Sequence, residues 1–245
     1  MSSRNALVSW LAALAVIAAA AAHADELTIR RTLSAKLPDA RIVSVQKLRY
    51  GALYEVAIQR AEGGYAVLYT DESAQVLFIG SLIDTATDRN LTEERVRKLS
   101  AIDWNGLPFK WAITMKRGGG RRQIAILSDP NCPYCKKLEA DLATVDDITV
   151  HIFAYPVIKA DSVRQTKAVW CSRDRLKAWN DLMHRRIEPA AKPDCETPID
   201  ELLALGRRLG ATATPTWFLP NGEKYSGAVG MSDLLPLLDA TARKK

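Results

Sequence analysis

Residues 123–138 read QIAILSDPNCPYCKKL. Gln123 to Leu127 is a short apolar run of strand type, Asp129-Pro130-Asn131 turns the chain, and a helix follows with Leu138 and Leu142 on one face. A Cys-x-x-Cys pair that follows a buried strand and opens a helix points to thiol–disulfide chemistry. Cys132 falls at the N-cap and Pro133 at the first helical position, where the missing N–H costs nothing and the fixed φ suits the turn. The free amides of that turn and the helix dipole favour negative charge on the Cys132 sulfur. A thiolate there is both nucleophile and leaving group. Cys135, one turn further in, is placed to resolve a trapped mixed disulfide. Tyr134 adds no charge beside the thiolate, so a weaker oxidant than a Cys-Pro-His-Cys protein is expected.

Outward from this centre, residues 107–245 form one expected domain. A second strand covers Thr149 to Tyr155, and helical patterning runs from Asp161 to Leu209. Pro215 opens a strand over Thr216 to Leu219, Asn221-Gly222 turns it, a return strand lies near Lys224 to Gly227, and a helix closes over 232–242. This order is α/β. Thr214-Pro215 before an apolar strand reads either as a cis bond that exposes a backbone edge to an extended substrate, or as an ordinary trans proline at a strand start.

Residues 25–87 form a cysteine-free α+β unit. A helix over Glu26 to Leu37 is stopped by Pro38. Strands follow at 41–48, 53–58, 65–69 and 75–79, the last two as a hairpin. Sixty residues or so make a marginal core, so an exposed edge or face would favour dimerisation. Residues 88–106 contain a connecting helix over Asn90 to Ile102, with Asn90 as cap and Glu93 at N3.

Residues 1–24 read as a cleavable signal peptide: Arg4, then ALVSWLAALAVIAAAAA at 6–22, then Ala22-His23-Ala24. The competing reading is an uncleaved membrane anchor. Of 34 basic residues, losing Arg4 leaves 33 against 28 acidic ones, a charge of +5. That charge is scattered among acids and not interleaved with aromatics, which excludes a nucleic-acid partner. The mature chain has only His151 and His184 and no protease-type nucleophile motif, so both histidines read as packing or surface residues. The five tryptophans of the mature chain read as packing residues. Export makes disulfides the default for the remaining cysteines. Linking Cys171 to Cys195 would close a loop of about 25 residues and stabilise by roughly 3 kcal/mol. A zinc site of all four cysteines is the rival, but Cys171 and Cys195 do not form a knuckle. No metal and no cofactor are expected.

The chain resembles the DsbC/DsbG family of bacterial periplasmic disulfide isomerases. The resemblance is carried by Cys132-Pro133-Tyr134-Cys135-Lys136-Lys137-Leu138, by Ala168-Val169-Trp170-Cys171, by Leu205-Gly206-Arg207-Arg208-Leu209-Gly210 and by Thr214-Pro215, in this order. It implies a thioredoxin-like catalytic domain with a helical insertion, preceded by a cystatin-like dimerisation domain and a linker helix. It further implies a periplasmic homodimer around an apolar cleft, acting on misoxidised or unfolded exported proteins and kept reduced by a DsbD-type membrane protein. Cys132 would attack wrong disulfides, Cys135 would resolve, Pro215 would be cis beside them, and Cys171–Cys195 would be a structural disulfide. Pro-Tyr between the cysteines is the DsbG-like pair, where DsbC-like members often carry Gly-Tyr. A reductase of sulfenylated cysteines is therefore the alternative, with a holdase chaperone as the non-enzymatic one.

Overall fold

Ile29 and Leu33, one helical turn apart, are both buried on α1 (residues 25–36), which ends before Pro38. The computed structural model describes residues 25–242; the expected signal peptide at 1–24 and the basic tail at 243–245 lie outside the described residues. The described chain divides into two compact units, the first ending at Leu99 and the second beginning at Ser100.

In the first unit, β1 (Ala40–Lys47), β2 (Tyr54–Arg60), β3 (Tyr65–Thr70) and β4 (Leu77–Phe78) form an antiparallel sheet in sequence order, with a register shift between Ile42 and Ser44. Side chains of a strand alternate between faces. Tyr54, Val56 and Ile58 accordingly meet Ile29 and Leu33, and Val45 and Leu68 complete that core. Glu55, between them, points away from this core and takes a 2.7 Å hydrogen bond from Arg95 Nε on α2 (Leu91–Leu99). Arg95 also donates to Ser44 Oγ at 3.1 Å, and Tyr69 shares a short hydrogen bond with Thr92. The helix expected over 90–102 is thus shorter, and its packing face is polar. Asn90 pairs with Ile83 across the ribbon of β5 (Ile83–Asp84) and β6 (Arg89–Asn90), while its Oδ1 still accepts from Glu93 N at 3.0 Å. Beyond Leu99, Ile102 N donates to Gly222 O at 2.9 Å and has left the helix.

The second unit is built on a five-stranded sheet of order β11-β10-β8-β9-β7. β8 (Arg122–Ser128) pairs parallel with β9 (Ile148–Ala154) and antiparallel with β10 (Thr216–Phe218). The edges are β7 (Ile113–Arg117), antiparallel to β9, and β11 (Lys224–Ser226), antiparallel to β10. Alternation along β8 makes the sheet the middle of three layers. Ile124 and Ile126 face Leu138 and Leu142 of α3 (Pro133–Leu142), Trp179 and Leu182 of α5 (Arg175–Arg185), and Leu234 and Leu238 of α7 (Met231–Ala242). Ala125 and Leu127 face Leu202 and Leu205 of α6 (Ile199–Arg208), together with Phe153 and Phe218. α4 (Ala160–Cys171) completes the helical segment between β9 and β10. Strand β7 was not among the strands expected from the sequence; of its five residues only Ile113 is fully buried, with Met115 half-buried beside it.

Gly206 on α6 is packed so closely that a Cβ there would sit 2.2 Å from Tyr155 Cε2. A Gly206→Ala protein is expected to lose about 1–3 kcal/mol of stability through overpacking, although alanine is the better helix former. Urea unfolding of the second unit's tryptophans checks this; an unchanged or raised midpoint would contradict the close contact.

Candidate active site

Strand β8 delivers the chain to the start of α3 through Asp129-Pro130-Asn131. Asp129 is fully buried, and its carboxylate is saturated. Oδ1 accepts from Asn131 N at 2.7 Å and from Ser162 Oγ at 2.9 Å, and Oδ2 accepts from Val157 N at 2.7 Å and Ile158 N at 2.8 Å. The Asn131 side-chain amide donates to Ser162 Oγ at 2.9 Å and Gln165 Oε1 at 2.7 Å on α4, and Gln165 donates on to Glu188 Oε1 at 2.6 Å. The turn before the cysteines is therefore fixed to the end of β9 and to the first turns of α4.

Cys132 occupies the N-cap of α3 with extended backbone, φ −84° and ψ 117°, and Pro133 takes the first turn. The Cys132 sulfur accepts from Cys135 N at 3.4 Å, which satisfies one of the amides that a helix start leaves open. It also donates to the Thr214 carbonyl at 3.2 Å, and the Thr214–Pro215 peptide bond is cis. Thr214 and Pro215 are buried against the cysteine pair's end of the sheet. Cys132 is 3% exposed and Cys135 not at all, whereas Tyr134 between them is 64% exposed. Val157 and Ile158, on the loop that Asp129 holds, are also exposed apolar residues at this end.

Burial pushes the Cys135 thiol far above the usual thiol range, and the neighbouring Cys132 adds to this. The Asp129 backbone and the Ser128 hydroxyl pull in the opposite direction without overcoming it. Both cysteines are free thiols in this structure. Cys171, at the end of α4, and Cys195 are bonded to each other at 2.05 Å, with Cα atoms 5.8 Å apart. The four cysteines are therefore divided into two pairs, and among the described residues no group of His, Cys, Asp and Glu is placed to hold a metal ion. His151 packs on Phe109, ring centroids 4.6 Å apart, and His184 is exposed on α5. Trp179 and Trp217 are fully buried, while Trp104, Trp111 and Trp170 are partly so.

Three polar residues of the site were not singled out from sequence. Asp129 and Asn131 looked like turn residues, and the partners that give them their role come from α4 and the end of β9. Glu139 carries one sequence signal, a position four residues after Cys135, on the same helix face. It is buried, accepts from Ser128 Oγ and takes a 2.7 Å hydrogen bond from Trp179 Nε1.

Residues 109–242 match the thioredoxin-like domain family, and residues 20–93 match the disulfide bond isomerase protein N-terminal domain. The chain is 39% identical over 193 residues to the probable thiol:disulfide interchange protein DsbC of Bordetella pertussis, covering 79% of this chain and 67% of that protein. It is 29% identical over 233 residues to the thiol:disulfide interchange protein DsbC of Salmonella typhimurium, covering 92% of each. Among solved structures, a disulfide interchange protein from Neisseria gonorrhoeae aligns with 35% sequence identity and a TM-score of 0.53, over 56% of this chain and 99% of that one.

The buried, protonated Cys135 leaves Cys132 as the reactive sulfur at neutral pH. Brief treatment of the native, reduced protein with iodoacetamide is expected to place the first label on Cys132 and none on Cys171 or Cys195. Peptide mapping by mass spectrometry reads the order; first labelling at Cys135 would reverse the assignment.

Proposed function

This chain belongs to the DsbC family of thiol:disulfide isomerases, and we propose that it rearranges wrong disulfides in exported proteins with Cys132 as the attacking thiolate. The observation that carries the reading is the position of the Cys132 sulfur, which caps α3 and accepts from Cys135 N. A negative sulfur is stabilised there by the amide and by the helix dipole.

The steps follow from sulfur chemistry. The Cys132 thiolate attacks one sulfur of a substrate disulfide, a mixed disulfide forms, and the other substrate sulfur leaves as thiolate. Isomerisation is completed when a second substrate thiolate attacks the mixed disulfide and returns the Cys132 thiolate, with no net electron transfer. If no such thiol arrives, Cys135 attacks the Cys132 sulfur and the substrate departs reduced by two electrons. The Cys132–Cys135 disulfide must then be reduced by an external dithiol, the role we assign to a membrane reductant of the DsbD type. Tyr134, Val157 and Ile158 give the mouth of the site an apolar rim suited to unfolded segments. Thr214 and Pro215 offer a backbone edge beside it. The disulfide between Cys171 and Cys195 lies apart from the pair on the α4 side and serves stability.

The match to the isomerase N-terminal domain supports a homodimer assembled through the first unit. The sequence pattern of residues 1–24 supports export to the periplasm. No helix among the described residues is long and apolar enough to cross a membrane.

The test is recovery of activity by scrambled, multiply disulfide-bonded ribonuclease. The wild-type protein is expected to restore it and Cys132→Ser to fall to the uncatalysed background, whereas Cys135→Ser keeps part of the isomerisation and accumulates mixed disulfide. Wild-type recovery no greater than that of Cys132→Ser would overturn the reading. Much faster reduction of a protein sulfenic acid, or suppression of aggregation that survives Cys132→Ser without any recovery of ribonuclease, would move the protein to a reductase or a holdase.

A further inference from the structure

The second cysteine pair has a property that stability does not require: it can be reached. Cys195 is exposed and Cys171 half-buried, whereas Cys132 and Cys135 are both buried. Cys171 and Cys195 line an open cavity of about 740 Å³ at the C-terminal end of α4, together with Trp170, Ser172, Arg173, Asp174 and Arg175. A disulfide that only staples the chain needs no such access, and exposed disulfides are the ones that exchange with external thiols.

The walls of this cavity have a definite chemistry. The Arg175 guanidinium lies over the Trp170 ring, 3.9 Å from its centroid, and Arg175 Nε donates to Trp170 O at 2.9 Å. Arg173, also exposed, lines the same cavity. The acid of the lining, Asp174, is committed to capping α5, where its Oδ1 accepts from Lys177 N at 2.9 Å. Among the described residues neither arginine is ion-paired. Two cations and an aromatic ring around a disulfide suit a small thiol that carries carboxylates.

We propose that the Cys171–Cys195 disulfide is a second exchange site of this protein, at which a small carboxylate-bearing thiol is captured on Cys195. The incoming thiolate attacks the Cys195 sulfur and bonds to it, and the Cys171–Cys195 bond breaks with its electron pair passing to Cys171. One disulfide is exchanged for another, with no net electron transfer. Attack by a second molecule of the thiol on this mixed disulfide releases the small disulfide. The protein is then reduced by two electrons, with thiols at both positions. The thiol is the sole reductant, and protons pass to and from water. The site stands independently of the reading of Cys132 as nucleophile.

Two features choose Cys195 as the sulfur attacked. It is the more exposed of the two. Cys171 is also the better leaving group, because its sulfur accepts from Cys195 N at 3.3 Å, a bond that negative charge strengthens. Charge on the Cys195 sulfur would instead fall between Asp194 and Glu196. The dipole at the C-terminal end of α4 opposes charge on Cys171, and Arg173 and Arg175 offset it. The loop that carries Cys195 stays attached when the bond opens. Glu188, earlier in that loop, accepts from Arg164 Nη2 at 3.1 Å and from Gln165 Nε2 at 2.6 Å, both on α4. Exchange therefore requires no unfolding.

Full-length protein with Cys132 and Cys135 reduced is mixed at about pH 8 with mercaptoacetate, 2-mercaptoethanol or cysteamine, so that thiolate is present in each case. Samples are quenched with excess N-ethylmaleimide and their peptides mapped by mass, and each rate is divided by that of the same thiol with an uncharged model disulfide. The small thiol is expected on Cys195 and the maleimide on Cys171, in the wild type and in Cys132→Ser alike. Mercaptoacetate should react about fivefold faster than 2-mercaptoethanol on this scale, and cysteamine slowest. Salt at about 0.5 M should bring the three together, as should the paired substitutions Arg173→Gln and Arg175→Gln. An adduct on Cys171, equal rates for the three thiols, or loss of the reaction in Cys132→Ser would overturn the proposal. So would exchange no faster than global unfolding, followed in parallel by tryptophan fluorescence.

Discussion

Asp129 is a carboxylate with no exposed surface that accepts four hydrogen bonds from three separate parts of the chain. A buried carboxylate is tolerated only when its lone pairs are filled, and removing it would strand three backbone amides, those of Asn131, Val157 and Ile158, each at about 1–3 kcal/mol. Everything at the thiol centre depends on this arrangement. The loop before Cys132, the turn after β9 and the start of α4 are held to one group. The cap position of Cys132 follows from where that loop ends. Asn131, Gln165 and Glu188 extend the same fixing outward along α4.

Helix α3 is asked to do two things that its sequence keeps on one face. Leu138 and Leu142 anchor it to Ile124 and Ile126 of β8 and so set its distance from the sheet. Cys135 and Glu139 share the buried side, so the packing that makes the helix rigid also desolvates a thiol and a carboxyl. The first unit solves its smaller problem in a comparable way. One sheet face is closed by Ile29 and Leu33 and the other by the Arg95–Glu55 pair, a partly exposed ion pair whose hydrogen bond to Ser44 fixes its geometry.

The parts of this architecture that sequence carried plainly are those set by local chemistry. Proline after Cys132, the apolar run at 123–127 and the spacing of Leu138 and Leu142 suffice for the strand, turn and capped helix. Strand β7 escaped because it is short and lies at the sheet edge: Ile113 and Met115 alternate with Thr114 and Lys116, a pattern too brief to mark a strand before the basic Arg117. The sequence of α2 offers only a narrow apolar stripe of Leu91, the Arg95 stem, Val96 and Leu99, and its polar packing through the Arg95 guanidinium and the Thr92 hydroxyl depends on partners 40 and 23 residues earlier in the chain. Glu139 is unmarked in the sequence for the same reason: Ser128 and Trp179 meet it only once β8, α3 and α5 have assembled. The Thr214–Pro215 bond was open between two isomers because nothing adjacent to it chooses one; the bond is cis, with Thr214 O set against Cys132.

The hydrogen bond from Cys132 to the Thr214 carbonyl exists only while the sulfur keeps its proton. Once the sulfur is charged, two acceptors face each other across 3.2 Å, and attraction is replaced by repulsion. The carbonyl is then an acceptor without a donor at the margin of a sheet, a state that an approaching N–H relieves. Charging the nucleophile and opening a place for a peptide backbone are, at this contact, a single electrostatic event.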